Sequence, residues 1–176
     1  REQCKRRMDG ISLFYTDLDR NKVEIRRIPK MGRKAVDSNQ LFIDGLEIEK
    51  EDLIGEEGKG FYYLLDGLNP ERILVASEAI GIGRAALARA VNYARERVVF
   101  DRPIGQNQSI QHPLADSWPK LEAAEGLAYK AAWLYDSRQP CGPQANAAKY
   151  LAAEVGFEAC QRAVMTHGGM GYAKEF

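Results

Sequence analysis

Residues Leu68 to Gln108, reading LNPERILVASEAIGIGRAALARAVNYARERVVFDRPIGQNQ, restrict the possible folds more than any other stretch of this chain. Asn69 is a residue type that caps helices, and Pro70 suits a first helical position, where its missing N–H costs nothing. Glu71 would then lie in the first turn, beside Arg72. Ile73, Ile80, Leu87, Val91, Ala94 and Val98 recur near helical spacing, so one apolar stripe runs along the element. From Pro70 to Arg97 such a helix spans roughly 40 Å at about 1.5 Å per residue. That length predicts a helix bundle.

Composition narrows the partners. The 176 residues suffice for one domain or parts of two, and 45% apolar with 28% charged residues is ordinary for a globular chain. Lysine plus arginine equals aspartate plus glutamate at 25 each, so no basic excess points to nucleic acid or an anionic membrane. Clustered arginines can still form a local anion site. No apolar run has the length of a membrane span, and the first residues do not resemble a signal peptide. Cys4, Cys141 and Cys160 are odd in number and lack metal-like spacing, which predicts a reduced intracellular protein. With only His112 and His167 present, a multi-histidine metal site is not expected.

Residues 1 to 58 read as β structure. Ile11–Thr16, Val23–Ile28 and Gln40–Ile48 alternate or cluster apolar residues between Gly, Asp and Asn. Three short strands bury little alone, so they are expected to complete a sheet whose remainder lies elsewhere, in a larger polypeptide. The loop Gly55–Gly60 divides 1–58 from 59–176, because the periodicity changes there. Beyond it come a short helix Phe61–Asp66 closed by Gly67, the long helix, and a loop from Val99 to Asn107. A helix over Ser109–Ser137 places Leu114, Leu121, Leu127, Ala131 and Leu134 inward, with Pro119 expected to kink or interrupt it. An alanine-rich helix from Pro143 to Met165, carrying Leu151, Val155, Phe157 and Val164, ends in the glycine turn His167–Tyr172. The fold class is α+β: strands followed by an antiparallel helical bundle.

Each candidate residue has two readings. Glu71 is either a first-turn carboxylate complementing the helix dipole or a general base at the mouth of a cavity; spacing alone favours the first. Arg97, Phe100 and Gln108 are either a helix end with a packed aromatic or a phosphate contact with a stacking ring; spacing again favours the first. Gly168, Gly169 and Gly171 follow no strand, so they read as a helix terminus before a dinucleotide cradle. Trp118, Trp133, Tyr129 and Tyr135 read as core or interface, and His167 as packed or solvated rather than catalytic.

Together these stretches resemble the acyl-CoA dehydrogenase family. MGRKAVDSNQLFIDGLEIEKEDLIGEEGKGF is similar to the end of that family's middle β-domain and its linker. The next segment carries the family's spacing of arginine, phenylalanine and glutamine at Arg97, Phe100 and Gln108, and THGGMGY is similar to its glycine turn. The resemblance covers nearly the whole chain, which is expected to be a fragment. It implies an FAD-dependent enzyme that removes the α-proton of an acyl-CoA thioester and transfers the β-hydride to the flavin, giving the trans-2-enoyl product. Electrons then pass to an electron-transfer flavoprotein. Members are usually tetramers, and the chain is expected to be a homo-oligomer, a tetramer or a dimer. Arg97, Phe100, Gln108, Gly168, Gly169 and Gly171 would meet the ADP half of FAD.

The resemblance also bears on the base. Most members carry it in a late Glu-Gly-Thr loop, whereas isovaleryl-CoA and long-chain acyl-CoA dehydrogenases place it at the start of the long helix, before an arginine. Glu71-Arg72 matches the second location, with Glu71 as base and Arg72 orienting it. Three positions depart from the family pattern: Asp101 replaces a glycine, Met165 replaces a glutamine near the flavin's ADP, and Pro119 falls in a normally continuous helix. Two alternatives stand beside the dehydrogenase: acyl-CoA oxidase-like chemistry, and a non-catalytic helical oligomerisation module. The bacterial cytosol is the expected compartment, with the mitochondrial matrix as the other. The isolated chain is expected to have little or no activity.

Overall fold

The computed structural model describes residues 6–176, so Cys4 lies outside the described residues. The chain forms two compact units that divide between Leu65 and Asp66.

In the first unit the strands are short. β1 (Leu13–Phe14) pairs antiparallel with β4 (Leu53–Ile54), and β2 (Val23–Arg27) pairs antiparallel with β3 (Asn39–Ile43), setting Val23 opposite Ile43 and Arg27 opposite Asn39. The expected strand over Ile11–Thr16 shrinks to two residues. The one expected over Gln40–Ile48 stops at Ile43, just before Gly45 turns left-handed at φ 63°. Val23 is the one buried hydrophobic side chain among the described residues of this unit, while Phe14, Leu41, Phe42 and Ile43 are exposed. Two-stranded ribbons have one pairing edge each and no second layer to bury a face.

The long helix starts earlier than its sequence suggests. α1 runs unbroken from Gly60 to Glu96, absorbing the short helix expected over Phe61–Asp66. Gly67 therefore closes nothing, Asn69 caps nothing, and Glu71 sits well inside the helix rather than in its first turn. The reason is periodicity. Half-buried Phe61, Leu65, Leu68 and Arg72 continue into Ala76, Ile80, Gly83, Leu87, Ala90 and Ala94 at steps of three and four residues, with no break in phase at Pro70. An interior proline costs about 3 kcal/mol, which is smaller than the packing of a face this long. Val91 and Val98 are exposed instead of buried.

Two further helices complete the second unit. α2 (Gln108–Asp136) buries Leu114, Ser117, Leu121, Ala124, Ala128, Ala131 and Leu134, and α3 (Gly142–His167) buries Ala145, Ala148, Ala152, Val155, Gly156, Ala159 and Ala163. α2 runs through Pro113 and Pro119 as one helix, so of the kink or interruption expected at Pro119 the interruption does not occur. Phe157 and Val164 face away from the core, as do Trp118, Trp133, Tyr129 and Tyr135, so the core on α3 is mostly alanine. Small residues let the backbones approach. A Cβ on Gly83 would lie 3.0 Å from the Gly156 Cα, and one on Gly156 would lie 2.6 Å from the Ala79 carbonyl oxygen. α1 and α3 run parallel, and α2 runs antiparallel to both, as the pairs Tyr93–His167 and Asp116–Arg162 require.

Candidate functional site

This topology collects three chain segments at one end of the bundle: the end of α1, the start of α2 and the end of α3. The connection from α1 to α2 is a hairpin rather than the expected loop. β5 (Val98–Val99) pairs with β6 (Arg102–Pro103), and a short 3-10 turn over Ile104–Gln106 leads to α2. The Arg97 N–H donates to the Tyr93 carbonyl at 2.8 Å and the Ile104 N–H to the Arg97 carbonyl at 2.9 Å, so the hairpin is tied to the helix end. Only Phe100 and Asp101 separate the strands, and both take positive φ, 54° and 61°. A two-residue hairpin of type I′ demands this, and its twist matches that of the strands. The demand explains why a glycine would be at home at position 101; Asp is one of the few other residues that tolerates the region.

Phe100 does not belong to that short list. A bulky side chain at positive φ costs on the order of 1–3 kcal/mol, and such strain gathers where function requires it. The ring gains nothing from the core in return, being 93% exposed at the hairpin tip. Arg97 is exposed and its side chain makes no hydrogen bond or ion pair among the described residues. Gln108, the first residue of α2, is likewise exposed. The helix has no side-chain cap here; the Ile110 and Gln111 N–H groups donate to the Asn107 carbonyl, which leaves those of Gln108 and Ser109 as the ones a ligand could use. Arg102 is committed elsewhere: its Nη2 donates to the Asn107 Oδ1 at 2.8 Å.

The glycine turn closes α3. Gly168 has φ 59° and ψ −133°, a conformation open only to glycine, and the space where Cβ atoms would stand on Gly168 and Gly169 is empty. Gly171 is glycine for a different reason, since a Cβ there would lie 2.4 Å from the Val164 carbonyl oxygen. His167 is a packed side chain. Its Nδ1 lies 2.7 Å from the Ala163 carbonyl, which can only accept, so Nδ1 carries the proton. The ring stacks on Tyr93 at 4.3 Å between centroids, with Phe176 against both. These rings end a groove of about 650 Å³ between α1 and α3, whose walls include Arg89, Glu96, Cys160 and Gly171. Burial pushes the Cys160 thiol above its ordinary range.

The set made by Arg97, Gln108, the exposed face of Phe100, the start of α2 and the open Gly168–Gly169 backbone lies at this end. It suits a ligand with anionic phosphates and a flat ring, so the chemistry of FAD's ADP half fits it. Asp101 puts one carboxylate beside it.

Glu71 and Arg72 lie apart from this end, on the first half of α1. Glu71 is exposed, and Arg72 is half-buried with its Nη1 donating to the Asn69 Oδ1 at 3.3 Å. The orienting arginine of the sequence reading thus engages Asn69.

Sequence reasoning passed over the polar ties between helices. Asp116, Lys120, Glu158 and Arg162 form a closed ring of ion pairs between α2 and α3, with Lys120 at 2.7 Å from Asp116 and 3.2 Å from Glu158. Arg162 pairs with Asp116 at 2.9 Å and with Glu158, and donates to the Pro113 carbonyl. The hydrogen bonds from Lys120, reinforced by Arg162, hold both carboxyls below their usual range. The i, i+4 spacing within each helix was readable, but the pairing across helices needed the packing.

No helix among the described residues is long and apolar enough to cross a membrane. The family model for the acyl-CoA dehydrogenase C-terminal domain matches residues 58–176. An acyl-CoA dehydrogenase of Bacillus subtilis is 38% identical over 168 residues, covering 95% of this chain and 44% of the relative. The CarC subunit of a caffeyl-CoA reductase–Etf complex from Acetobacterium woodii shows the same identity and coverage. Butyryl-CoA dehydrogenase of Megasphaera elsdenii superimposes with a TM-score of 0.88 at 36% identity, over 96% of this chain and 44% of that one. The chain thus spans less than half the length of the relatives it matches. A family model fitted over the whole bundle, and relatives aligned across β strands and helices alike, lead to one conclusion: the chain belongs to the acyl-CoA dehydrogenase family.

Proposed function

We propose that the protein containing this chain catalyses FAD-dependent α,β-dehydrogenation of an acyl-CoA thioester. The observation that carries the reading is the strained, exposed Phe100 flanked by uncommitted Arg97 and Gln108. Arg97 would pair with a phosphate, Phe100 would present its face to a ring, and Gln108 with the start of α2 would donate to anionic oxygens. Gly168 and Gly169 would let a dinucleotide approach the backbone; Gly171 would support them by packing the turn against Val164. FAD supplies the hydride acceptor when bound, and the residues named here bind and orient. Glu71 would take the α-proton, with Arg72 near it. A thioester lying over the exposed carboxylate would exclude water from it, as a base for this step requires.

Residues 1–58 are proposed to belong to a middle β-domain and 59–176 to the helical domain. An electron-transfer flavoprotein as partner and a homo-oligomeric assembly belong to the same proposal. The Etf complex named for one relative supports the partner. Reduction of an enoyl-CoA is a second reading, because the caffeyl-CoA reductase relative is as similar as the Bacillus subtilis dehydrogenase.

The test is anaerobic bleaching of the flavin absorbance by a panel of acyl-CoAs, using the full-length, FAD-loaded protein and its Glu71→Gln variant. Rapid bleaching in the parent, with a variant that binds the thioester but bleaches about a thousandfold more slowly, supports both the reaction and the base. Equal rates leave Glu71 as a solvated helix residue. Bleaching only by a reductant, reversed by enoyl-CoA, selects the reductase direction.

A further inference from the structure

The start of α2 is poorly supported by its own helix. Asn107 precedes it without providing a side-chain cap; its Nδ2 donates back to the Ile104 carbonyl at 3.0 Å. Pro113 and Pro119 each lack an N–H, so the carbonyls four residues before them, on Ser109 and Ala115, lose their intrahelical donors. Yet this is the segment that presents Gln108. What holds it comes from α3. The Arg162 guanidinium reaches the Pro113 carbonyl, the Asp116 carboxylate and the Glu158 carboxylate together, and its side chain is only 23% exposed. Arg162 also lies one turn before Thr166, whose Oγ1 donates to the Arg162 carbonyl at 2.8 Å, and then the glycine turn begins.

We propose that Arg162 is a positioning residue: it fixes the start of α2 against the end of α3, and so sets the gap between Gln108 and the Gly168–Gly169 backbone. The inference rests on the cofactor reading of those residues. A planar fork with several donors can satisfy a carbonyl and two carboxylates at once, whereas a lysine ammonium is a single point charge. Arg84 provides an internal contrast. It also pairs with two carboxylates across helices, Glu122 and Glu125 (2.7 Å to the latter), but it touches no α2 backbone carbonyl and lies in the middle of the bundle.

The experiment measures FAD dissociation constants by flavin fluorescence quenching on the full-length apoprotein, with melting temperature of each apo form and visible circular dichroism of bound flavin. The variants are Arg162→Ala, Arg162→Lys, Arg84→Ala and Gln108→Ala. Arg162→Ala is expected to weaken FAD about tenfold and alter the dichroic band, with little recovery in Arg162→Lys. Arg84→Ala is expected to lower the melting temperature with FAD affinity within about twofold of the parent. Unchanged affinity in Arg162→Ala, or an equal loss in Arg84→Ala, would overturn the positioning role. If Gln108→Ala also binds FAD like the parent, the cofactor reading itself has failed; if Gln108→Ala alone loses affinity, only the role of Arg162 has.

Discussion

The middle of the helical bundle and its hairpin end use opposite chemistry. In the middle, Gly83, Gly156, Ala79 and Ala159 bring α1 and α3 so close that no further atom fits. At the end, Phe100 stands strained and exposed while Arg97 and Gln108 have spare bonding capacity. The first region is saturated, and its residues explain one another. The second is unsaturated, as the proposed cradle for the ADP half of FAD would be. Stability and binding are therefore separable in this molecule by a few residues along the same helices.

The sharpest way to break that separation is to alter the middle. Gly156→Ala places a Cβ 2.6 Å from a backbone oxygen, which must move with its helix. A loss of about 3 kcal/mol is expected, measured by urea unfolding of the variant and parent. Loss below about 0.5 kcal/mol would show that α1 and α3 can slide apart, and the close contact would lose its special standing.

At the hairpin end the same logic runs the other way. Arg97→Ala and Phe100→Ala should each weaken FAD about tenfold, or about 1.4 kcal/mol, while urea midpoints change little. Isothermal titration of the full-length apoprotein measures the first quantity. An Arg97→Ala protein that binds as tightly as the parent removes this residue from the proposed cradle.

Much of the bundle was legible because burial follows spacing: Ile80, Leu87, Ala94, Leu114, Leu121, Ala131 and Leu134 are core positions in both readings. Three features were not. Asn69-Pro70 has the local chemistry of a helix start, but the apolar phase running from Phe61 to Ala94 overrides it. For the aromatics of α2 the sequence left core and interface open; leucines and alanines fill the core face while Trp118 and Trp133 face out, so the core reading is the one that fails. The hairpin at Val98–Pro103 was hidden because Phe100-Asp101 lacks the Asn-Gly signature that its backbone requires. That last miss is informative: the sequence breaks a local rule where the candidate site lies.

Phe100→Gly tests this rule directly. Glycine takes φ 54° without penalty, so the variant should be more stable by about 0.5–1 kcal/mol while binding FAD more weakly. Thermal melts of the apo form and titration of FAD give the two numbers. A variant that is less stable would mean the ring supports the hairpin, and strain would no longer point to function.

The smallest expected effect concerns the ion-pair ring between α2 and α3, where saturation is electrostatic rather than steric. The folded state holds Asp116 and Glu158 below their ordinary values of 3.8 and 4.5 through Lys120 and Arg162. A carboxyl depressed by folding stabilises the native state above its unfolded value, and that contribution fades as pH falls through the lowered one. Melting temperature should therefore drop as pH falls below about 4.5, and the drop should be shallower in an Asp116→Asn, Glu158→Gln double variant. Both carboxylates are partly exposed, Asp116 at 48% and Glu158 at 38%, so 1 M salt should flatten the parent's profile toward that of the variant. An identical acid limb in both proteins would mean the ring adds nothing to stability. Arg162 would then hold the start of α2 through the Pro113 carbonyl alone, and the end of the bundle would depend on one neutral acceptor where the middle depends on packing.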